Sequence, residues 1–427
     1  MHRELAKLLL YGGVVERGDG ILARLGDAFR RFEDGEDGDA LVRDIHAQVR
    51  RLLELALKYG FDGDLWRCYL TWLLLMDENP FSLICEGRGV PVGSLSGLAQ
   101  SDFEVFLRLF DFDFEPIERA LGLRCFTRIR KFTAPAVSVG APARELSEDI
   151  AKAPDSSFAR VTEFYRRHGV GALAFHRAFH AEVRGGVLTL LPIEALDPVS
   201  LDDLTGYEEQ KCELRANTEA FLAGRPANNV LLYGDGGAGK STSVRALVND
   251  YRDTALRMVE LYRWQFADLP DILAGLRRRN YRFILFIDDL SFEEHETEYK
   301  ALKAVVEGGL EARPENVLLY ATSNRRHIIR ETWGDRDDME HKGDIHRSDT
   351  VEEKLSLASR FGLALNYSSP SRKQYHAIVR ALAREAGLSS MGDDELVKGA
   401  DAWELRHGGM SGRTARQYID YLSGRAS

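Results

Sequence analysis

Near its middle the chain reads Gly234-Asp235-Gly236-Gly237-Ala238-Gly239-Lys240-Ser241, which fills every fixed position of the pattern GxxxxGK[ST]. A short apolar run at residues 230–233 precedes this loop, and residues 242–251 after it are predicted to form a helix. A glycine-rich loop between a strand and a helix binds phosphate, because its backbone N–H groups close around phosphate oxygens and the helix presents its positive end. The pattern therefore predicts a nucleotide-binding site, and we call residues 234–241 the phosphate loop.

Individual residues of this region have separate expected roles. Lys240 is predicted to lie against the β- and γ-phosphates of ATP, and the Ser241 hydroxyl to coordinate Mg²⁺. Residues 234–239 and Thr242 are expected to contribute backbone contacts to the phosphates. The predicted ligands are therefore ATP and magnesium.

A pair of carboxylates follows a second apolar run. Residues 283–287 are predicted to form a buried strand, and Asp288-Asp289 comes directly after it. Asp288 suits the magnesium shell, usually through water, and Asp289 suits polarising the water that attacks the γ-phosphate. The alternative interpretation is that the two acids cap a helix.

The segments around these two motifs predict an α/β fold. From about Leu201 onward, short β-rich runs alternate with helices, which is typical of a parallel sheet with crossover helices. After Pro370 the sequence is helical again and predicts a small lid domain. The candidate strands are 230–233, 257–261, 283–287, 317–321 and 363–366, and the candidate lid helices are 373–385, 393–402 and 413–422.

The first part of the chain is predicted to be mainly helical. Residues 47–58 and 103–109 place apolar residues three and four positions apart, which indicates helices that pack on one face. Residues 172–183 are also predicted to be helical, followed by a short strand at 187–191. We therefore expect a helical region at 1–190, a nucleotide-binding domain at 191–369 and a helical lid at 370–427.

Composition limits the class of protein. The chain has 427 residues, 44% of them hydrophobic and 29% charged, which is typical of a globular chain. No run reaches the roughly 18 to 20 apolar residues that span a bilayer, and the N-terminus does not resemble a secretory signal. A cytoplasmic protein without a membrane partner is expected. The net charge of -10 gives no general attraction for nucleic acid.

In this order the motifs resemble the AAA+ ATPase superfamily, although Asp288-Asp289 stands where many members have Asp-Glu. The candidate strand 317–321 leads into Thr322-Ser323-Asn324, and the resemblance implies that Asn324 is sensor 1, which helps to hold the attacking water. Arg360, in the stretch 355–362 before the last strand, occupies the position of the arginine finger that reaches a neighbouring subunit's ATP. An ion pair within the chain is the alternative role for Arg360.

The resemblance extends to the lid and to the segment before the phosphate loop. Arg413 is similar in position to sensor 2, which contacts the nucleotide of its own chain, and Arg416 is the competing assignment. In AAA+ proteins the segment corresponding to residues 204–207 commonly wraps the adenine, which implies contacts from Gly206 and Tyr207.

More narrowly, the chain resembles the bacterial ATP-binding family known as domain-of-unknown-function family 815, strongly over residues 172–422. This resemblance implies a fold and a nucleotide but no client. The stretches that carry it are Leu204-Thr205-Gly206-Tyr207-Glu208, residues 228–234, residues 286–293, Thr322-Ser323-Asn324-Arg325-Arg326-His327 and Ser411-Gly412-Arg413-Thr414-Ala415-Arg416-Gln417.

Together these features predict a homo-oligomeric Mg-ATP hydrolase in which ATP turnover changes the arrangement of subunits and acts on a protein client. A slow nucleotide-dependent switch or loader that binds a partner and hydrolyses little is the alternative. A P-loop kinase acting on a small molecule fits less well, because the sensor, finger and lid arginine occur in AAA+ order.

Overall fold

The computed structural model describes residues 1–16, 20–36, 38–133, 141–291, 302, 314–324, 360–388 and 391–425. Parts of the stretches named above, at residues 292–293, 325–327 and 355–359, lie outside this set. The chain divides into two units, Met1–His176 and Arg177–Ser427. Within the described residues, no helix is both long enough and apolar enough to cross a bilayer.

Helices form the first unit, and capping side chains begin two of them. The Asp64 carboxylate accepts the N–H of Arg67 and begins the helix Leu65–Met76, and Asn79 and Ser82 cap the next helix reciprocally. The helices are α1 His2–Leu5, α2 Gly13–Glu16, α3 Ile21–Glu33, α4 Asp39–Tyr59, α5 Leu65–Met76, α6 Pro80–Arg88, α7 Ser94–Phe110, α8 Glu115–Leu121, α9 Cys125–Ile129, α10 Ala141–Lys152, α11 Ser157–His168 and α12 Ala172–Phe175.

The core of this unit combines aliphatic residues with several large aromatic side chains. Trp66 on α5 is fully buried and donates its indole N–H to the Leu109 carbonyl oxygen at 2.7 Å. The hydroxyls of Tyr11 and Tyr165, both buried, lie 3.0 Å apart, and Tyr165 donates to the Leu74 carbonyl at 2.7 Å. Since buried polar groups are costly without partners, these hydrogen bonds let large aromatic residues fill the core.

A seven-stranded sheet forms the centre of the second unit. The strand order is β2-β1-β4-β5-β6-β3-β7. Every neighbouring pair is parallel except β1 and β2, which are antiparallel. The strands are β1 Ala178–Arg184, β2 Val187–Pro192, β3 Val230–Gly234, β4 Leu256–Leu261, β5 Arg282–Ile287, β6 Val317–Ser323 and β7 Leu363–Tyr367.

Among the described residues, helices follow β2, β3 and β4, and a bundle of helices follows β7. All seven residues of β6 and nearly all of β5 are buried, as expected for central strands of a parallel sheet covered on both faces. The last three helices pack around Tyr375, Val379 and Tyr418. The helices in the described part of this unit are α13 Glu208–Leu222, α14 Lys240–Asp250, α15 Leu269–Arg277, α16 Arg372–Glu385, α17 Asp393–His407 and α18 Gly412–Ser423.

The predicted fold class is confirmed, and each candidate strand from 230 onward corresponds to a strand of the sheet. The helix predicted over 172–183 is wrong, because α12 ends at Phe175 and β1 begins at Ala178. Ala178, Phe179 and Ala181 are buried, and β1 pairs with β4 on one side and β2 on the other. Gly185 and Gly186, at φ 59° and 76°, form the tight turn of that hairpin. The first compact unit ends at His176, and the hairpin belongs to the second.

Candidate nucleotide-binding site

The phosphate loop lies between β3 and α14, where the carboxyl ends of the parallel strands meet. Gly234, Gly237 and Gly239 have φ of 134°, 77° and 91°, which favours glycine. A Cβ at Gly234 would come within 2.2 Å of the Tyr367 carbonyl oxygen. Backbone conformation therefore favours glycine at all three positions, and close approach of the chain adds a second requirement at Gly234. Gly239 is the N-cap of α14, so the positive end of this helix faces the loop.

Lys240 begins α14 and is buried, with 6% of its surface exposed. Its ammonium donates hydrogen bonds to the carbonyl oxygens of Gly234 at 2.9 Å and Asp235 at 2.7 Å, and to Asn324 Oδ1 at 3.0 Å. Burial lowers the pKa of Lys240, whereas the carboxylates of Asp235 and Asp289 act in the opposite direction. Ionised phosphate oxygens accept stronger hydrogen bonds than carbonyl oxygens, so this ammonium is well placed for a phosphate.

Ser241 and Asp288 meet at the start of α14. The Ser241 hydroxyl donates to Asp288 Oδ1 at 2.5 Å, and Thr322 at the end of β6 donates to the same oxygen at 2.6 Å. The other oxygen, Oδ2, accepts from Arg245 at 3.1 Å, and Arg245 also contacts Glu260 on β4 at 3.0 Å. A hydroxyl beside a carboxylate is the kind of oxygen donor set that Mg²⁺ prefers. These residues therefore fit a magnesium site.

Asp289 and Asn324 form the other half of the acid site. Asn324 Nδ2 donates to Asp289 Oδ1 at 2.8 Å, while Asn324 Oδ1 accepts from Lys240. Asp289 has a left-handed φ of 52°, and its backbone N–H donates to Thr322 Oγ1 at 2.9 Å. A single amide thus joins the phosphate-loop lysine to the exposed second acid of the pair.

The remaining residues of the phosphate loop differ in their contacts and in their exposure to solvent. The Asp235 carboxylate accepts from the N–H and hydroxyl of Ser369 at 2.6 and 2.7 Å, and these bonds lower the pKa of Asp235. This side chain therefore binds the segment that leads to the lid. Gly236 is exposed, Ala238 is buried, and Thr242 lies in the first turn of α14.

The two arginine candidates in the lid have different surroundings. The backbone N–H of Arg413 lies 3.4 Å from the Gly237 carbonyl oxygen, and a Cβ at Gly237 would lie 3.1 Å from Arg413 Cβ. Arg416 instead lies 3.6 Å from Glu385 on α16. The structure thus brings Arg413, and not Arg416, against the phosphate loop.

Gly206 and Tyr207 lie beside the carboxyl end of β7. Both have left-handed backbones, with φ of 91° and 59°. The Tyr207 ring stacks on Tyr367 with centroids 4.8 Å apart, and its hydroxyl donates to the Ser368 carbonyl at 2.6 Å. Burial raises the pKa of Tyr207. The predicted adenine segment is therefore joined to the strand whose last residue contacts the phosphate loop.

Arg360 lies away from the other predicted site residues, at the amino end of β7. The N–H of Leu363 donates to the Asn229 carbonyl at 3.2 Å, and a Cβ at Gly362 would meet the Asn228 side chain. Both asparagines precede β3, so Arg360 is at the sheet edge opposite the phosphate loop. Its side chain is exposed.

Sequence reasoning missed three residues that contact the site: Thr322, Arg245 and Ser369. Thr322 stands in the Thr-Ser-Asn run that ends β6, so its position at a strand end was a usable signal. Nothing in the local sequence singles out Arg245 or Ser369, because their partners Asp288 and Asp235 are distant along the chain.

Because β6 lies between β3 and β5, the polar residues that end β6 reach both the phosphate loop and the acid pair. That arrangement is the one found in a P-loop ATPase of the AAA+ class, with α16, α17 and α18 as its lid. The family model described as "Protein of unknown function (DUF815)" matches residues 174–426, more than half of the chain. The chain belongs to this family.

Curated relatives match over short stretches. The chain is 38% identical over 76 residues to the replication factor C large subunit of Sulfolobus acidocaldarius, covering 18% of this chain and 17% of that protein. For the subunit from Methanococcus vannielii the values are 39% over 59 residues, with 14% and 12% covered. The chain thus spans less than a fifth of the length of these relatives.

Solved structures of Thermotoga maritima RuvB are also similar. One of them, a point mutant, is 20% identical with a TM-score of 0.38, covering 54% of this chain and 69% of RuvB. A structure titled as the Holliday junction branch migration motor is 17% identical with a TM-score of 0.33, covering 52% and 72%. The strand order and the site contacts, rather than this likeness, define the fold.

Proposed function

We propose that this protein is a cytoplasmic Mg-ATP hydrolase whose subunits complete one another's active sites. The observation that carries the proposal is the hydrogen-bonded connection from Lys240 through Asn324 to Asp289. It joins the group suited to bind phosphate with the carboxylate suited to orient water. A site that only bound nucleotide would not need the second carboxylate.

Each residue has a distinct role in the proposed reaction. Lys240 binds the β- and γ-phosphates, and Ser241 and Asp288 hold Mg²⁺, which neutralises charge on the phosphates when bound. Asp289 accepts a hydrogen bond from the attacking water, and Asn324 fixes the orientation of that carboxylate. Gly206 and Tyr207 bind the adenine side, and Arg413 contacts the nucleotide from the lid.

Arg360 is proposed to act on the ATP of a neighbouring subunit. The strand β7 separates it from the phosphate loop by about 13 Å, at roughly 3.3 Å per residue from Leu363 to Tyr367. An extended arginine side chain reaches only roughly 7 Å from its Cα. Arg360 therefore suits a trans role in a head-to-tail homo-oligomer better than a role in its own site.

A protein client is proposed, because a net charge of -10 gives no overall attraction for polyanions. The names of the curated replication factor C relatives motivate DNA as the second candidate. The two are distinguished by measuring ATP turnover with added duplex or single-stranded DNA. A salt-sensitive stimulation by DNA would replace the protein client with a nucleic acid. A slow switch with little hydrolysis would show ATP binding without steady-state turnover.

The central test compares Lys240→Ala and Asp289→Asn with the wild-type chain. Lys240→Ala should lose tight ATP binding, because it removes the charge that offsets the phosphates. Asp289→Asn should bind ATP and turn it over about 10²- to 10⁴-fold more slowly, the usual contribution of a general base. ATP affinity is measured with a fluorescent analogue and turnover by phosphate release.

Lys398→Ala serves as the matched control, because Lys398 is an exposed lysine of α17. It should resemble wild type in both assays. Normal affinity and turnover in a folded Lys240→Ala protein would overturn the site assignment. Loss of binding in Asp289→Asn, with normal turnover per bound ATP, would show that the two acids have exchanged roles.

A further inference from the structure

Thr322 is the residue at which the two acids of the site meet. It is the sixth residue of β6 and is 1% exposed. Its hydroxyl donates to Asp288 Oδ1 at 2.6 Å and accepts the backbone N–H of Asp289 at 2.9 Å. One buried hydroxyl therefore contacts the side chain of the first acid and the backbone of the second.

The direction of these hydrogen bonds follows from the donors. The Asp289 N–H can only donate, so it occupies a lone pair of Thr322 Oγ1. The single hydroxyl proton of Thr322 is then available to Asp288, whose ionised carboxylate can only accept. The hydroxyl is thus fixed in one orientation, and it restrains the same carboxylate oxygen that Ser241 contacts.

The backbone of Thr322 restrains the acid pair as well. Its carbonyl oxygen accepts the N–H of Leu290 at 2.6 Å. The turn after β5 is therefore held at two successive N–H groups, those of Asp289 and Leu290, by one residue of the neighbouring strand. Between these two anchors Asp289 adopts its left-handed φ of 52°, an uncommon conformation that surrounding contacts must maintain.

We propose that Thr322 is a positioning residue that sets the metal-binding carboxylate and the water-orienting carboxylate relative to each other. The proposal rests on the Mg-ATP hydrolase function proposed above. Without the hydroxyl, Asp288 loses a donor that aims it and the Asp289 turn loses one anchor. Residues that orient metal ligands from outside the coordination shell typically contribute about 10- to 100-fold to metal affinity or activity.

The test compares Thr322→Val, which keeps the shape and removes the hydroxyl, with Thr322→Ser, which keeps the hydroxyl. Thr322→Val should lower kcat by about 10- to 100-fold and raise the Mg²⁺ concentration needed for half-maximal turnover. Binding of a fluorescent ATP analogue in the absence of Mg²⁺ should stay within about twofold of wild type, because Lys240 and the phosphate loop are unchanged. Thr322→Ser should recover most of both kcat and Mg²⁺ dependence.

Thr218→Val provides a control for the loss of a buried threonine hydroxyl. The Thr218 hydroxyl is fully buried, donates to the Leu214 carbonyl at 2.8 Å and lies 2.9 Å from the Tyr320 hydroxyl of β6. It therefore packs against the same strand without touching either acid. This variant should have a changed melting temperature at most, with wild-type Mg²⁺ dependence.

The outcomes distinguish failure of the proposed Thr322 role from failure of the proposed hydrolase function. Wild-type kcat and Mg²⁺ dependence in Thr322→Val, in a protein whose turnover still requires Lys240, would overturn the role of Thr322 alone. The same Mg²⁺ shift in Thr218→Val would also overturn it, because the effect would then come from general loosening of β6. If the wild-type protein shows no ATP turnover that Lys240→Ala abolishes, the hydrolase function itself is refuted.

Discussion

Replacing Arg360 with alanine should leave ATP binding nearly unchanged and slow hydrolysis by about 10³- to 10⁵-fold, the contribution of arginine fingers in P-loop enzymes. Binding should persist because Lys240 and Arg413 of the same chain lie at the carboxyl edge of the sheet, whereas Arg360 lies at the amino edge. The separation of about 13 Å along β7 exceeds the reach of the side chain. If Arg360 is a finger, the Arg360 side chain of a neighbouring subunit should therefore restore the lost rate of hydrolysis.

Mixing two inactive variants measures that recovery. An Arg360→Ala chain supplies a competent pocket, and a Lys240→Ala chain supplies a finger. In a randomly mixed head-to-tail assembly with equal amounts of each chain, about one quarter of the pockets belong to an Arg360→Ala chain whose finger-supplying neighbour is a Lys240→Ala chain. Turnover should then rise toward about a quarter of the wild-type rate per chain.

The control is a chain that carries both substitutions, which cannot supply the finger and should give no recovery when mixed with Arg360→Ala. Light scattering on differently sized tagged chains must first show that mixed assemblies form. If they form and turnover equals the sum of the two parents, Arg360 does not act across an interface. The head-to-tail mechanism would then lose its main support.

Two further predictions concern the phosphate loop and the lid. Gly234→Ala should lower the free energy of unfolding by about 3 kcal/mol or more, because its Cβ would meet the Tyr367 backbone at 2.2 Å. The melting temperature should then fall by about 6 to 12 °C. Gly236→Ala, whose Cβ meets open space, should melt like wild type. Equal melting temperatures would contradict the close approach. Arg413→Ala should weaken ATP affinity about tenfold or more, because it removes a charged contact. Arg416→Ala removes only an exposed ion pair and should bind ATP normally. If a nucleotide titration shows the reverse order of affinities, Arg416 is the sensor.

The sequence was sufficient for the strands from β3 onward and for the candidate residues at their ends. A buried parallel strand is a continuous apolar run, so the polar residues that follow it, such as Asp288 and Asn324, are easily recognised as candidates. Gly234 and Gly239 are fixed positions of the phosphate-loop pattern because their positive φ angles favour glycine. These signals are local, so they can be recognised in a single sequence.

The contacts between the motifs could not be predicted in the same way. Thr322 meets Asp288 because β6 and β5 are neighbours, and strand order is decided by packing of the whole sheet rather than by any short segment. The Asp235–Ser369 contact likewise joins positions far apart in the chain. The helix predicted over 172–183 failed because alanine, phenylalanine and valine in short runs are compatible with either structure until a partner strand is known.

The hairpin of β1 and β2 determines where the second unit can be cut from the chain. β1 contributes a parallel neighbour to β4, and β2 covers the other side of β1. A fragment that began at residue 193 would retain the phosphate loop and the acid pair yet leave the backbone groups along one edge of β4, a largely buried strand, without a neighbouring strand. Such an open edge pairs readily with other chains and promotes aggregation. A fragment intended for crystallisation or spectroscopy should therefore start no later than Arg177, well ahead of its first nucleotide-binding motif.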